Sequence, residues 1–356
     1  MRARSVVPLS NGDAKRAVAR FGRSPRTAAV PLLPPDAGED VWLEARRRGP
    51  DGYRVGASEL AAVLGLSPHS SPFSLYWAKQ PDWERDPAGR RQRYGHAVEA
   101  GIAGLFAEDR PELLVVRPGA ALWGHPVEQW LCCTPDFIAV ASDADLCTHG
   151  GDCLVHRDTR GLHNFDDRGG VHIEPVECKS DKGGRGWGKP GTDQVPAHHR
   201  VQLLVQCEIL GAPRGWLVRE EHAYRVDYDD AARAEMAGWL AEGRAFVAGL
   251  EAGAPPDIDG HEATAATLSQ LHPAVDEDTE EFLPAALAAE FVEALDALDA
   301  AKARAEEAKN RVRDRMGRAQ YAVDPDGRRV AHRVVYKRRS YEVAAGMVDQ
   351  LRRKQK

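Results

Sequence analysis

The chain has 356 residues, of which 43% are hydrophobic, and its formal net charge is −6. That length and apolar fraction can supply one large domain or two ordinary ones with a sizeable core. No run of about 18 apolar residues occurs and the N-terminus lacks the apolar segment of a secretory signal, so the sequence disfavours membrane-spanning and exported proteins and predicts a cytoplasmic one. Six cysteines in such a chain are expected to be reduced thiols.

The charges are distributed unevenly towards the C-terminus. Residues 251–301 contain thirteen acidic and no basic side chains, whereas residues 302–356 contain seventeen basic and seven acidic ones. The basic segment is either a contact for a polyanion or an ordinary solvated helix face, and its charge alone does not separate the two.

The first predicted elements follow a tail. Residues 1–38 are rich in proline without sustained periodicity, which predicts disorder, with order beginning near Val41. Ser58 precedes the apolar run ELAAVLGLSP, so we expect a short helix with Ser58 as its N-cap and Gly65 at its end. A second short helix is predicted at residues 74–79, and a longer one in the segment YGHAVEAGIAGLFAED. The apolar stripe of the longer helix comprises Val98, Ile102, Leu105 and Phe106.

The centre of the chain has the composition of strands. The β-prone runs QWLCCTPDFIAV and VHIEPVECKS are separated by a polar insertion at residues 142–170. Because proline has no N–H to donate to a sheet, we expect the second strand to begin at Val176, after Pro175, with Glu177 near the rim of the sheet. A helix, HHRVQLLVQCEILG, then ends at Gly211, and two further strands, RGWLVRE and AYRVDYD, follow.

The C-terminal part reads as one long helix and a hairpin. Apolar side chains form a narrow stripe from Leu283 to Gly317, which is expected to pack within the chain or between subunits. The run YAVDPDGRRVAHRVVY places two β-like segments around Asp-Pro-Asp-Gly, a hairpin pattern. The predicted divisions are a tail at 1–38, a core domain at 39–260, and a C-terminal region at 261–356 with an acidic linker, the helix and the basic hairpin.

The candidate chemistry centres on Glu177 and Lys179. Residues two apart on a strand point to one face, so this carboxylate and ammonium project together, whereas the same pattern on a helix at 307–309 diverges. Hydrolysis of a phosphodiester needs a divalent cation held by converging acidic oxygens. Asp136, in the preceding β-prone run, is the candidate second carboxylate, and Glu99 on the upstream helix is the third.

A series of segments occurs in the order VGASELAAVLGLSPHSSPFSLYWAKQ, YGHAVEAGI, CTPDFIAV, VECKS and PAHHRVQLLVQCEILGAPRGWLV. This series resembles the YqaJ-like viral recombinase family, the lambda-type exonucleases of the PD-(D/E)xK nuclease superfamily, over roughly residues 42–218. The resemblance implies an α/β fold: a restriction-endonuclease-like core with a mixed central β-sheet flanked by helices, to which the C-terminal helix and hairpin are added. It also implies a Mg²⁺-dependent 5′-to-3′ exonuclease acting on linear duplex DNA, with Mn²⁺ as a substitute ion.

Carried over to the matching positions, the resemblance assigns roles around the metal ion. Asp136, Glu177 and the backbone carbonyl of Cys178 would hold the ion. Glu99 would be an outer or second metal ligand, and Lys179 would assist the nucleophilic water. These assignments agree with the strand argument, which places Glu177 and Lys179 on one face.

The resemblance also assigns a glutamine and a phosphate site. Gln202 matches a glutamine of the family's helix, although the second glutamine of that pattern is displaced to Gln206. Arg46 and Ser58 match an arginine and a serine that bind the 5′-phosphate of DNA. Four extra residues separate this arginine from the serine, so other arginines stay open as the phosphate ligand. They are Arg47, Arg48 and Arg54.

The insertion is a departure from the family pattern. Asp136 and Glu177 are 41 positions apart, and the segment CTHGGDCLVHRDTRGLH accounts for the gap. Its candidate zinc ligands are Cys147, His149, Cys153 and His156. Their spacing matches no standard zinc pattern, so a small Zn²⁺ site and a polar surface loop both stay open.

The expected function is digestion of duplex ends for recombination by strand annealing, in a phage or prophage system of a bacterial cytoplasm. The expected partners are double-stranded DNA ends, a single-strand annealing protein and further copies of the chain in a homo-oligomer, with no membrane. Two alternatives stay open: a related endonuclease, repair or defence nuclease, and a non-catalytic DNA-binding scaffold of the same fold.

Overall fold

The computed structural model describes residues 29–34, 36–84, 89–116, 118, 122–141, 173–181 and 183–336. The chain divides into two units, the first ending at Leu271 and the second beginning at His272. Most of the predicted tail lies outside the described residues. The insertion at 142–170 also lies outside them, and with it the candidate zinc ligands Cys147, His149, Cys153 and His156.

Eight helices lie within the described residues. They are α1 Glu39–Arg47, α2 Ala57–Val63, α3 Pro72–Ala78, α4 Arg90–Asp109, α5 Ala197–Leu210, α6 Asp230–Ala252, α7 Glu262–Leu271 and α8 Ala285–Met316. None of these helices is long and apolar enough to cross a membrane.

The strands fall into four sheets within the same residues. The first seven are β1 Val30–Pro31, β2 Arg48–Gly49, β3 Gly52–Tyr53, β4 Val55–Gly56, β5 Leu113–Val116, β6 Trp123–Gly124 and β7 Leu131–Cys133. The remaining six are β8 Phe137–Ala141, β9 Glu174–Lys179, β10 Arg214–Arg219, β11 His222–Asp227, β12 Tyr321–Val323 and β13 Arg329–His332.

A five-stranded sheet in the order β11-β10-β9-β8-β5 forms the centre of the first unit. β9 and β10 are parallel, and the other neighbouring pairs are antiparallel. A parallel pair needs a crossover connection, which helix α5 supplies between these two strands. The predicted mixed α/β sheet flanked by helices is confirmed.

Two hydrophobic clusters cover opposite faces of this sheet. Val176 and Cys178 of β9 belong to the cluster that includes the apolar side of α4. Leu217 of β10 belongs to the cluster that includes the apolar side of α5. Because successive side chains of a strand point to opposite faces, Glu177 lies on the α5 side. The sheet therefore turns the residue with the candidate chemistry towards the crossover helix.

Pro175 lies inside β9, so the expected start of that strand at Val176 is wrong. The parallel pairing with β10 begins only at Val176. Alternate N–H groups of a strand point to opposite neighbours, and that of Cys178 points to the β8 side. The nitrogen of Pro175 therefore faces the β10 side, just before the pairing starts, where no N–H is needed. Glu177 consequently lies in the middle strand of five and not at the rim.

Two strand expectations are also wrong. Residues 29–34 belong to the first unit, with Val30 of β1 paired to Gly124 of β6, so order does not begin near Val41. The run QWLCCTPDFIAV forms not one strand but two, β7 and β8, in different sheets. The break between them is the Thr-Pro-Asp tripeptide that ends at Asp136.

Two helix expectations fail for local reasons. Ser58 is not the N-cap of α2, because the helix already includes it and Gly56 precedes the first turn. The carboxylate of Glu59 accepts the N–H of Gly56 at 2.6 Å, which is the carboxylate half of a capping box. In α4, Leu105 of the predicted buried stripe is exposed, whereas its stripe neighbours Ile102 and Phe106 are buried.

The second unit consists of α8 followed by a hairpin of β12 and β13, as predicted. Asp324 holds the turn of this hairpin, because its carboxylate accepts the N–H groups of Asp326 and Arg328. Gly327 occupies a left-handed conformation with φ +78°, which glycine adopts at little cost.

Two glycines of α6 provide a test of how closely this helix approaches the strand layer. A Cβ on Gly243 would lie 2.1 Å from the ring of Trp130, whereas a Cβ on Gly238 would have nothing within 4 Å. We expect Gly243→Ala to lower the free energy of unfolding by about 1–3 kcal/mol through overpacking. Gly238→Ala is the matched control and should raise it by about 0.5–1 kcal/mol. Urea denaturation measures both, and equal effects would contradict the close approach.

Candidate active site

Glu177 is the centre of a hydrogen-bonded group of side chains. Its side chain is buried, and Oε1 accepts from Lys179 Nζ at 2.7 Å and from Gln202 Nε2 at 2.5 Å. Lys179 Nζ also donates to Gln202 Oε1 at 3.1 Å, which closes a triangle of three contacts. The expected common direction of Glu177 and Lys179 is thus observed, and α5 brings Gln202 to the same point.

Gln206 completes the group, although sequence reasoning did not assign it a role. Its Nε2 donates to the second oxygen of Glu177 at 2.8 Å, and the residue is fully buried. Gln202 and Gln206 are four residues apart on α5, so they lie on one helix face. That spacing was the available signal, because a glutamine one helical turn after Gln202 lies on the helix face that contains Gln202.

Asp136 lies immediately before the first residue of β8. The pairing between β8 and β9 stops at Phe137 and Val176, so the N–H of Cys178 has no backbone acceptor on β8. Asp136 Oδ2 accepts that N–H at 2.9 Å and replaces the missing acceptor. This contact fixes Asp136 next to Glu177. The Cys178 thiol points into the core on the opposite face of the sheet and is buried.

The electrostatics of the group combine burial with excess negative charge. Burial raises the pKa of Asp136 well above its usual value, and the charges of Glu177 and Glu99 raise it further, against the opposing effect of Lys179. Burial by itself would lower the pKa of Lys179, but the facing carboxylates of Glu177 and Asp136 raise it instead. Lys179 is therefore held as a cation.

Glu99 approaches this group from α4. That helix passes the end of β9 closely, because a Cβ on Gly95 would lie 3.5 Å from Ser180 Oγ. Glu99 Oε1 lies 2.9 Å from His96 Nδ1. Its charge acts on Asp136, which places it in the electrostatic neighbourhood of the other two acids.

The donors present are of the kind that Mg²⁺ prefers, namely carboxylate oxygens and a backbone carbonyl. Among the described residues, no three acidic, histidine or cysteine groups are already arranged as an ion site. Both oxygens of Glu177 are engaged by Lys179 and the α5 glutamines. The raised pKa of Asp136 nevertheless marks a place where a divalent cation would relieve repulsion between carboxylates. The set fits such an ion by donor type and by charge.

Arg46 and Ser58 form a second polar cluster. Arg46 donates to Ser58 Oγ at 2.5 Å and lies 3.8 Å from Glu59. Behind them Glu59 accepts from Lys79 Nζ at 2.7 Å, and Lys79 is only 1% exposed. Burial would raise the pKa of Glu59, but Lys79 and Arg46 outweigh it and lower the pKa to about 2. The sequence pattern indicated Arg46 and Ser58 but did not indicate the buried pair of Glu59 and Lys79.

The three alternative arginines point elsewhere. Arg47 donates to the backbone carbonyls of Gln80 and Pro81. Arg48 pairs with Glu251 and Arg54 donates to the carbonyl of Ala45. The geometry therefore favours Arg46 as the arginine that accompanies Ser58.

One segment of chain joins the two clusters. Trp42 Nε1 donates to Thr134 Oγ1 at 3.2 Å, and the guanidinium of Arg46 lies 5.1 Å from the centre of the Trp42 ring. Thr134 is two residues before Asp136. Within β7, the charge of Arg46 acts on the Cys132 thiol, and the charge of Glu177 acts on the Cys133 thiol. Residues 131–136 therefore contact both clusters.

A row of rings lies beside Lys179. The centre of the His199 ring is 5.6 Å from that of Trp187 and 3.9 Å from that of His198, and His69 follows at 6.1 Å. Burial, followed by the charge of Lys179, lowers the pKa of His199 to about 2. The His199 ring is consequently uncharged next to the cationic lysine.

Comparison with known proteins gives one family match. Residues 41–213 match the family described as YqaJ-like viral recombinase domain. The chain is also similar to a crystal structure of an alkaline exonuclease (LHK-Exo) from Laribacter hongkongensis, at 17% identity and TM-score 0.40, over 66% of this chain and 100% of that one. A crystal structure of LHK-Exo in complex with dAMP matches at 16% identity and TM-score 0.38, over 62% and 95%. No curated protein matches the sequence.

Asp136→Asn tests the burial and the repulsion between acids that together raise the pKa of Asp136. The raised pKa means that the folded carboxyl keeps its proton to higher pH than the unfolded one, so this stability is present at low pH and lost as the pH rises through the raised pKa. Asparagine mimics the protonated form and keeps an acceptor for Cys178. With chelator at pH 8 we expect the free energy of unfolding to rise by about 1–2 kcal/mol.

The control for this variant is Asp227→Asn, at an exposed ion pair with Arg225. Its effect should stay within about 0.5 kcal/mol. Chemical denaturation between pH 5 and pH 8 measures the free energy of unfolding of both variants. An unchanged or lower value for Asp136→Asn would contradict the claim that the charged Asp136 carboxylate destabilises the fold.

Proposed function

Residues 41–213 match the YqaJ-like viral recombinase domain, and from this match we propose that the chain is a member of that family and a metal-dependent deoxyribonuclease. The proposed reaction is hydrolysis of phosphodiesters from the ends of linear duplex DNA, in the 5′-to-3′ direction. The observation that carries the proposal is the buried group of Glu177, Lys179 and Gln202, with Asp136 beside it on the middle of the sheet.

Each residue of the group has a definite task in this reaction. Asp136, Glu177 and the Cys178 carbonyl would hold Mg²⁺ or Mn²⁺, with Glu99 as an outer ligand. When bound, the ion neutralises the phosphate and lowers the pKa of its water. Lys179, held as a cation, orients that water and stabilises negative charge that develops on the phosphate.

The α5 glutamines act through Glu177. Gln202 and Gln206 donate to its two oxygens, so its carboxylate cannot rotate freely. An oriented carboxylate places its remaining lone pairs in fixed directions, which favours one position of the cation. Gln202 also accepts from Lys179 and thereby aligns the ammonium with the carboxylate.

Arg46 and Ser58 would bind the terminal 5′-phosphate. Arg46 is half-buried and Ser58 is exposed, so both reach solvent, while Lys79 and Glu59 lie behind them. A guanidinium and a hydroxyl together suit a phosphate dianion. Holding the 5′ end at a fixed distance from the acidic group would give the 5′-to-3′ polarity.

The proposed setting is recombination by strand annealing in a bacterial cytoplasm, in a phage or prophage system. A single-strand annealing protein would take up the strand that digestion exposes, and the nuclease would act as a homo-oligomer. The Zn²⁺ site remains a proposal for the four ligands in the insertion, and its test is metal analysis of the purified protein.

Loss of Glu177 or Lys179 should abolish hydrolysis. We expect Glu177→Gln and Lys179→Ala to reduce digestion of linear duplex DNA in Mg²⁺ by about a thousandfold or more, because each removes charge that acts in the transition state. DNA binding should change by less than about tenfold. Glu235→Gln, at an exposed ion pair with Arg200, is the matched control and should stay fully active.

The same assay separates the proposed activity from its rivals. Closed circular plasmid should remain intact, and the chelator should stop digestion of linear DNA. Rapid cleavage of circles would favour an endonuclease. DNA binding without any digestion, under varied metal ions, would favour a non-catalytic scaffold.

Arg46→Ala should erase a preference for phosphorylated ends. The native protein is expected to digest 5′-phosphorylated duplexes at least about tenfold faster than 5′-hydroxyl duplexes, because a charge-assisted contact is lost without the phosphate. Arg47→Ala is the matched control, since the neighbouring Arg47 points to the carbonyls of Gln80 and Pro81. Equal rates on the two ends in the native protein would remove the phosphate assignment.

A further inference from the structure

Helix α8 of the second unit has an apolar side that is exposed. It contains 32 residues, none of which is buried. Leu287, Leu298 and Val312 are 49%, 48% and 38% exposed. An isolated helix gains little stability from propensity alone and normally buries such a side against another element. The exposed apolar side of α8 is therefore the surface on which we expect another element to pack.

The apolar residues follow a seven-residue repeat. One series recurs every seven residues and comprises Phe291, Leu298, Ala305 and Val312. A second series recurs between them and comprises Leu287, Ala294, Ala301 and Ala308. Alternating steps of three and four residues over about four heptads are the pattern of a coiled-coil seam. A second helix is thus the partner with matching geometry.

The charges of α8 identify which helix fits. From Ala285 to Ala300 the helix has four acidic residues and no basic ones, whereas from Ala301 to Met316 it has six basic and three acidic residues. Two parallel copies would place like charges together. Two antiparallel copies place each acidic half against a basic half, so the helix is complementary to itself in that orientation only.

We propose that α8 pairs with α8 of a second copy of this chain as an antiparallel coiled coil. A register two residues away from full overlap of the helices places Phe291 opposite Ala308 of the second copy and Leu298 opposite Ala301 of the second copy. A large residue thus meets a small one, which is good packing at the seam. Leu287 then meets Val312 of the second copy near each end.

The same register creates an ion pair beside the seam. Glu290 comes next to Arg311 of the second copy, and by two-fold symmetry the pair occurs twice. Arg311 pairs with Glu307 of its own helix, but both side chains are largely exposed. An exposed pair on one helix face is worth little, so the exchange costs little. The proposed function left the subunit contact open, and α8 supplies one.

Sedimentation velocity of the full chain over a range of concentrations tests the seam. The native protein should associate, and Leu298→Lys should weaken that association about a hundredfold or more, because it places a charge in the seam. Val292→Lys is the matched control: Val292 is 38% exposed on the same helix but lies outside the repeat, so its change should leave the association intact. Far-ultraviolet circular dichroism should show equal helix content in all three proteins.

A charge exchange tests the orientation. Glu290→Lys and Arg311→Glu should each weaken association about tenfold, and the double variant should restore it to within about threefold, because the ion pair re-forms with reversed sign. Arg313→Glu is the control for a change of charge alone, because Arg313 belongs to neither series of the repeat. A monomeric native protein, or equal masses for Leu298→Lys and Val292→Lys, would overturn the pairing, and failure of the double variant to recover would overturn the antiparallel register.

Discussion

The first unit depends on the burial of one carboxylate. Glu177 is 3% exposed in the middle strand of the sheet, and a buried charge is costly unless it is paired and hydrogen-bonded. Lys179 supplies the opposite charge, and Gln202 and Gln206 supply the amide donors. Both glutamines lie on the helix that connects β9 to β10. The contacts that close the parallel pair therefore also assemble the candidate site.

The two polar clusters of this unit are balanced in opposite ways. Around Glu59 two cations face one carboxylate, and its pKa is lowered to about 2. Around Asp136 the acids outnumber the single lysine, and its pKa is raised. A surplus of acid suits a divalent cation, and a surplus of positive charge suits a phosphate. Residues 134–136 contact both surroundings, through Thr134 with Trp42 and through Asp136 with Cys178.

Sequence reasoning succeeded where one periodicity was strong and local. The individual central strands, α5, α8 and the hairpin followed from apolar spacing and turn residues, whereas the mixed sheet flanked by helices followed from the family resemblance. It failed where a contact distant in sequence decided the outcome. Glu59 accepts the N–H of Gly56 locally, but nothing near Ser58 reveals that the same carboxylate also reaches the buried Lys79. The spacing of Gln202 and Gln206 places both on one face of α5, but whether that face meets Glu177 depends on how α5 packs against β9.

Pro175 has a consequence for the fidelity of folding. Sliding β9 along β10 by one residue would turn Glu177 to the wrong face, and the hydrophobic clusters oppose that error. A slide by two residues leaves every side chain on its original face of the sheet, so the hydrophobic clusters would not oppose it. Moving the strand in one direction, however, would bring the nitrogen of Pro175 into the β10 ladder, where an N–H must be donated. The proline thus blocks an alignment error that hydrophobicity alone would accept, and it protects the pairing of Glu177 and Lys179 with α5.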